Sequence, residues 1–452
     1  MINTLYLPEL REMLETNDRA GLEDFCTALH PARTAEFMEG LTAEEAIRVL
    51  EFAEPQLRSE IFSYLETDHQ VEIVNTHPPE EASELIGGMS TDDQVDLLQD
   101  VDDELVKEIL SHLPPEERRD VMRLSRYPEG TAGSIMTTEM AKLSKDLTVR
   151  EALGEISRQA EELETVYCLY IVDEHDSLHG VVSTRQLVSA MGKSSKRLSE
   201  IMDTDVLHVN ALDDQEEVLR KMADYDMLAI PVVDDELCLV GIITHDDILD
   251  VVVEEATEDA YRSAAVQPLE ESYLRTSVLT LSWKRGVWLV VLFLGALLTT
   301  FALEHYEAEL ERYVWLVLFI PLVISTGGNS GNQSATLVIT ALNRDEVHLS
   351  DWWLVAKREC AMGLILGGMM SVMGMIIALM KAPTLYSSLV VGATLLLVVM
   401  AGTMIGSMLP LMFKRIGLDP SLMSNPFVAG IIDFLGIVIY MTVAGLLLGM
   451  PA

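Results

Sequence analysis

Five apolar stretches crowd the C-terminal part of the chain, at roughly 286–303, 313–342, 354–380, 385–413 and 423–449. A helix needs about 20 residues to cross a hydrocarbon core, so each stretch is long enough to span. Backbone in lipid must satisfy its own polar groups, which restricts these stretches to helices. Basic residues lie at Lys284 and Arg285 before the first stretch, at Arg344, Lys357 and Arg358 between the second and third, and at Lys414 and Arg415 between the fourth and fifth. The alternate loops, EHYEAELER and KAPTLYSS, carry one Lys or Arg each. The positive-inside rule then places the N-terminal domains in the cytoplasm and the C-terminus outside. The opening residues MINTLYLPELREML have no basic n-region or long apolar run, so no cleaved signal peptide is expected.

Charge separates the same two halves. Residues 281–452 hold 9 Lys/Arg and 10 Asp/Glu, whereas residues 1–280 hold 22 and 62. That acidity disfavours a nucleic-acid partner, whose backbone calls for basic neutralisation. It leaves self-repulsion or attraction of cations. The cysteines Cys26, Cys168, Cys238 and Cys360 are scattered without a CxxC pair, against structural zinc or a disulfide framework.

Within the acidic half, residues 1–126 read as all-helical, with proline near helix starts in HPART (30–34), HPPEE (77–81) and LPPEE (113–117). Proline suits the first helical turn, and the near-repetition predicts a small α-solenoid. Residues 127–253 change character. IVDEHDSLHGVVSTRQL (171–187) and VVDDELCLVGIITHDDI (232–248) repeat one strand–turn–strand–helix pattern. That internal repeat resembles a tandem CBS (cystathionine-β-synthase-type) pair, a regulatory module.

Acidic motifs come next. From Met222 to Tyr261 there is no Lys or Arg but there are 12 carboxylates. On a continuous helix Asp247, Asp250, Glu254 and Glu258 form one stripe, and like charges at that spacing destabilise it. Either this is a solvated acidic face or it holds a hard divalent cation such as Mg²⁺, which takes oxygen ligands. STDDQVDLLQDVDDE at 90–104 adds Asp92 and Asp96 at i, i+4 in the helical domain.

Two motifs stand in the membrane half. STGGNSGNQSATLVITAL (325–342) puts Gly327, Gly328 and Gly331, poor helix formers, beside Asn329, Asn332 and Gln333. Irregular backbone survives at membrane depth only where buried or lining water, so the motif reads as part of a conduction path or as polar glue between helices. SNPFVAGIIDFLG (424–436) carries the lone carboxylate Asp433, about two turns into a helix starting near Pro426. An intramembrane carboxylate costs about 2.5–3.5 kcal/mol on insertion scales and points to function.

Together GGNSGNQSATL (327–337), LDPSLMSNPFVAG (418–430) before Asp433, and ADYDMLAIPVVDD running to DDILDVVVEEATED resemble the MgtE family of magnesium transporters across essentially the whole chain. The resemblance implies an acidic helical N domain over 1–126, a tandem CBS pair over 127–253, a linker ("plug") helix over 254–280 and a five-helix α transmembrane domain over 281–452. It implies a Mg²⁺-selective homodimeric channel in a bacterial inner membrane, not an enzyme. Its pore would lie between the second and fifth membrane helices of both subunits. Asp433 matches the pore aspartate that holds a largely hydrated Mg²⁺, and Ala429 and Asn425 match neighbouring pore and gate positions. Asp92, Asp96, Asp214, Glu216, Asp226, Asp247, Asp250, Glu255, Glu258 and Asp259 match regulatory Mg²⁺ positions, and Asp419 a membrane-side partner of the linker helix.

Three positions depart from the family pattern. Gln186 stands where a ribose-binding acid is expected, and Met227 where an aromatic would stack on adenine, which weakens the expectation of ATP as a modulator. Gly430 replaces an expected Thr. The implied mechanism is negative feedback, with cytoplasmic Mg²⁺ closing the pore. The rivals are a proton-coupled divalent cation (Mg²⁺/Co²⁺) transporter in which Asp433 titrates, a membrane-embedded metalloenzyme, and a Mg²⁺ receptor that does not transport.

Overall fold

The computed structural model of the protein describes residues 5–160, 163–269, 273, 274, 276–381, 384–422 and 425–449. Ten short helices come first: α1 (Leu7–Thr16), α2 (Arg19–Ala28), α3 (Pro31–Met38), α4 (Ala43–Leu50), α5 (Pro55–Ser63), α6 (Thr67–Thr76), α7 (Pro79–Ile86), α8 (Thr91–Gln99), α9 (Asp103–His112) and α10 (Pro115–Leu124). Proline in the first turn opens α1, α3, α5, α7 and α10, where its fixed φ fits and its missing N–H costs nothing. The three proline motifs of the sequence are the starts of α3, α7 and α10. Leu22, Ile61, Phe62, Ile73, Ile86 and Ile109 are fully buried between the helices.

The internal repeat becomes two matching sheets. In the first, β1 (Lys142–Ser144) pairs parallel with β2 (Cys168–Val172), and β2 antiparallel with β3 (Leu178–Ser183). Helix α11 (Val149–Gln159) crosses from β1 to β2, and α12 (Thr184–Ser189) follows β3. In the second, β4 (Val209–Asn210), α13 (Gln215–Asp224), β5 (Ala229–Val233) and β6 (Leu239–Thr244) repeat the order, and α14 (His245–Ser263) follows. Even the register irregularity recurs, at Ile171/Val172 and at Val232/Val233. Fully buried Val218, Ile230 and Ile243 of the second repeat join the core of the helical domain.

The chain divides into two compact units within α14, at Val253/Glu254. The linker expected as one helix over 254–280 is helical to Ser263 and, among the described residues, again only from Val278, where the next helix begins. Ala265 adopts φ 58°, the left-handed conformation that ends helices, and Pro268 follows. Lys284 then donates to the Pro268 carbonyl at 2.7 Å.

The second unit holds five helical segments long and apolar enough to cross a membrane. They contain α15 (Val278–His305), α17 (Ile320–Asn343), α18 (Trp352–Lys381), α19 (Leu385–Arg415) and α20 (Asn425–Leu448), with the short helix α16 (Glu307–Arg312) and a 3₁₀ segment, Val314–Phe319, ahead of α17. Leu289, Phe293, Leu364 and Ile365 are exposed on the outside, as a lipid-facing surface requires.

The glycine-rich motif does not break its helix. Helix α17 runs unbroken through Gly327, Gly328 and Gly331 because tertiary packing overrides propensity. A Cβ on Gly402 of α19 would lie 2.7 Å from the Gly327 carbonyl oxygen, and one on Gly363 of α18 would lie 2.6 Å from Thr403 Oγ1. Small residues thus let α17 and α18 lie close against α19.

Candidate ion pathway and N-terminal acidic group

The membrane-half predictions converge on one groove between α17 and α20. Ser325, Asn329, Gln333, Thr336 and Thr340 form a continuous exposed polar stripe along α17. Asn425, Ala429 and Asp433 follow each other at four-residue steps on α20, all half-buried. The two stripes meet: Thr336 Oγ1 donates to Asn425 Oδ1 at 3.4 Å, and a Cβ on Gly328 would lie 3.6 Å from both Ala429 Cβ and Asp433 Oδ1. Asn332 lies between them, with its Oδ1 buried and without a hydrogen-bond partner among the described residues. A polar stripe of this length cannot face hydrocarbon, so it faces water or another protein surface. Around Gly430 a Cβ would find nothing within 4 Å, so the missing Thr leaves open space.

The acidic positions of the N-terminal unit separate into groups. Asp92, near the start of α8, is buried, and its Oδ1 has no hydrogen-bond partner among the described residues. Burial first, then the nearby Asp247 charge, pushes its carboxyl well above the usual carboxylate range. Burial also raises Asp247 to about 6, against hydrogen bonds from Thr244 Oγ1 at 2.7 Å and Thr244 N at 3.2 Å. Asp93, crowded by protein and faced by Asp250 and Asp246, is raised as well. Asp96, one turn beyond Asp92, points outward and is exposed.

Two further carboxylates complete the group. Desolvation raises Glu139 to about 7, opposed by Thr91 Oγ1, which donates to it at 3.4 Å. Glu164 also rises to about 7, from desolvation and then Glu139, and its backbone N–H donates to the Glu139 carbonyl at 2.9 Å. Neither lies in a spacing pattern that marks it in the sequence; a loop-to-loop backbone contact brings them together. Among the described residues, no three His, Cys, Asp or Glu side chains come close enough to form a ready metal shell. The unpartnered oxygen of Asp92 and the all-oxygen donor set nevertheless suit Mg²⁺, which keeps several waters and needs few protein ligands.

Family comparisons match the order of these parts. The model of the MgtE intracellular N domain matches residues 29–130, CBS domains match 132–193 and 198–254, and the MgtE divalent cation transporter model matches 320–443. The magnesium transporter MgtE of Thermus thermophilus is 42% identical over 336 residues, covering 74% of this chain and 74% of that one. This chain belongs to the MgtE family. The Bacillus subtilis MgtE magnesium transporter is 33% identical, over 73% of this chain and 72% of its own. Among solved structures, the soluble part of a magnesium transporter aligns with a TM-score of 0.52 at 33% identity, covering 55% of this chain and 97% of that one. The cytosolic domain of the Mg²⁺ channel MgtE, solved in complex with ATP, aligns with a TM-score of 0.50 at 38% identity, covering 54% and 98%.

The remaining MgtE-type positions fall at two places. In the membrane unit, Arg262 of α14 pairs with both Glu258 and Asp419, while Asn343 at the end of α17 donates to Asp259 Oδ2 at 3.0 Å. Asp419 Oδ1 also accepts from Ser421 N at 2.7 Å. Glu255 is half-buried on the same helix. In the second CBS repeat, Asp214, Glu216 and Asp226 are all exposed. Asp214 caps α13 by accepting from Glu216 N at 2.9 Å, and Asp226 sits at φ 49°. At the departure in the first repeat, Gln186 Oε1 accepts from Ser183 N at 2.7 Å and Ser183 Oγ at 2.8 Å, closing the capping box of α12.

One functional candidate escaped the sequence reading. Glu359 of α18 is a buried carboxyl group inside the third apolar stretch. The rule that singled out Asp433, an acid within an otherwise apolar span, points equally to Glu359.

Proposed function

We propose that this chain conducts Mg²⁺ across the membrane through a pore lined by α17 and α20. The observation that carries this reading is the alignment of Asn425, Ala429 and Asp433 beside the polar stripe of α17. A carboxylate set among amide and hydroxyl groups can hydrogen-bond the water around a strongly hydrated cation without stripping it, which favours Mg²⁺ over ions that bind dehydrated. No hydrogen bond or ion pair reaches Asp433 from the described residues of its own chain. The reading therefore takes its partner to be Asp433 of a second copy, with the ion between them, and the protein as a homodimer. Membership of a transporter family supports transport rather than catalysis.

The acidic groups would supply feedback. Asp92, Asp93, Asp247, Glu139 and Glu164 repel one another through space, and desolvation with that repulsion disfavours their charged forms. Mg²⁺ bound there would supply the missing positive charge. Carboxylates that approach only in the closed state give the differential affinity such a switch needs. ATP has no assigned part in this reading, because Gln186 is a neutral side chain engaged in a helix cap. The cytoplasmic side for the N-terminal domains rests on the loop charges alone.

Asp433→Ala tests the pathway. In cells lacking their own Mg²⁺ uptake, this variant should reach the membrane and fail to support growth at low external Mg²⁺; growth like the parent would end the assignment.

A further inference from the structure

We propose that Glu359, acting through Ser334, is a positioning residue that sets the rotation of α17 and so aims its polar stripe into the ion path. Ser334 Oγ donates to Glu359 Oε2 at 2.7 Å, and both residues are buried, at 5% and 8% exposure. Lys357 and Arg358, the nearest basic residues in sequence, are exposed on other faces of α18, and no ion pair reaches Glu359 among the described residues. The backbone around Glu359 is itself anchored, because Thr403 Oγ1 of α19 donates to the Glu359 carbonyl at 3.2 Å. Glu359 is thus fixed to α18 and α19, and its side chain reaches the third helix, α17.

The direction of that reach gives it its effect. At 3.6 residues per turn, Ser325, Asn329 and Thr336 lie within about 40° of the face opposite Ser334. Between α17 and α19 the closest backbone approaches are glycine on glycine, Gly402 on Gly327 and Gly406 on Gly331, with Val398 of α19 seated over Gly327, and such surfaces limit distance more than rotation. Two side-chain hydrogen bonds are directional on that side of the helix: Ser330 Oγ donates to the Val399 carbonyl of α19 at 3.5 Å, and the shorter Ser334–Glu359 bond, at 2.7 Å, reaches α18. A rotation of about 20° at the ~6 Å radius of the side chains would move Asn329 by about 2 Å, a large step for a path that holds a hydrated ion. Burying a carboxyl group with one hydroxyl donor and no cation is costly, and a purely apolar contact would pack as well. A positioning role accounts for its presence.

This inference rests on the pore reading above, and the experiment separates the two. Single-channel recordings of the full chain in planar bilayers compare Ser334→Ala, Glu359→Leu, Glu359→Gln and Asp433→Asn with the parent. Removing either end of the bond should lower the unitary Mg²⁺ current about tenfold, the scale of one lost buried hydrogen bond. The ratio of Mg²⁺ to Na⁺ permeability should fall with it. Glu359→Gln keeps an acceptor for Ser334 and should stay within about twofold of the parent. A role limited to fold stability would reduce channel number and leave the unitary current and selectivity unchanged. Parental unitary current in Ser334→Ala overturns the proposal, even if Glu359→Leu fails to assemble. A Glu359→Gln channel as impaired as Glu359→Leu overturns it too. If Asp433→Asn conducts like the parent, the pore reading itself has failed.

Discussion

Replacing Glu139 with Gln should stabilise the N-terminal unit at neutral pH and leave it unchanged in acid. Glu139 is half-buried and its carboxyl is raised from 4.5 to about 7, chiefly by desolvation. At about 1.4 kcal/mol per pH unit this shift has an upper limit of about 3 kcal/mol, and partial solvent screening reduces it to roughly 1.5 kcal/mol. The folded state binds the proton more tightly than the unfolded chain, so stability falls as pH rises from about 4.5 to about 7. Below that window both states are protonated and the penalty vanishes; above it the full penalty applies. Glu139→Gln removes the titrating group and therefore flattens the profile. For a unit of this size 1.5 kcal/mol corresponds to about 3–6 °C in Tm. The assay is thermal unfolding of the fragment 1–253, with a chelator present, at pH 4.5 and pH 7.5. The variant should melt higher only at pH 7.5, and added Mg²⁺ should narrow the gap by raising the parent more. Equal melting temperatures at pH 7.5, or the same gap at both pH values, would refute the argument.

Three other outcomes follow from the same geometry. Neutralising Asp247 and Asp250 together (Asp247→Asn with Asp250→Asn) should leave Mg²⁺ uptake active when internal Mg²⁺ is high; normal shut-off, read by tracer influx into loaded vesicles, would remove the sensor reading. Gly402→Val should cost about 1–3 kcal/mol or more by overpacking, because its Cβ would press on the Gly327 carbonyl at 2.7 Å, and should lower membrane abundance and melting temperature in detergent. Gly430→Thr should be tolerated, with uptake within about twofold of the parent, because open space surrounds that position.

Much of this architecture is written in local patterns. The five apolar lengths, the prolines that open α3, α7 and α10, and the twofold β-strand pattern each follow from periodicity or from one residue's conformational limits. Asp433 was legible as a carboxylate in an apolar span, the family resemblance added Asn425 and Ala429, and the four-residue steps of a helix put the three on one face. What was not legible depends on tertiary contact. Glycines at 327–331 signal a broken helix by propensity, yet the chain uses them to bring α17 against α19. Asp92 and Asp96 look equivalent by spacing, and only the packing of α8 buries one and exposes the other. Glu139 and Glu164 come from separate loops, so no spacing rule joins them. The linker helix stops at Ser263 because of one left-handed residue, Ala265, which carries no sequence mark. Glu359 stood in plain view beside Lys357 and Arg358, which give it the look of an interfacial loop residue.

The central claim is that Asp433 lines a Mg²⁺ path that cytoplasmic Mg²⁺ closes. The most direct measurement is Mg²⁺ current in excised patches while Mg²⁺ on the cytoplasmic face is varied, for the parent and for Asp433→Ala. The account predicts channel-sized Mg²⁺ current at low internal Mg²⁺, loss of that current as internal Mg²⁺ rises, and none at any concentration with Asp433→Ala. Current that ignores internal Mg²⁺, or that survives removal of the Asp433 carboxylate, would contradict it.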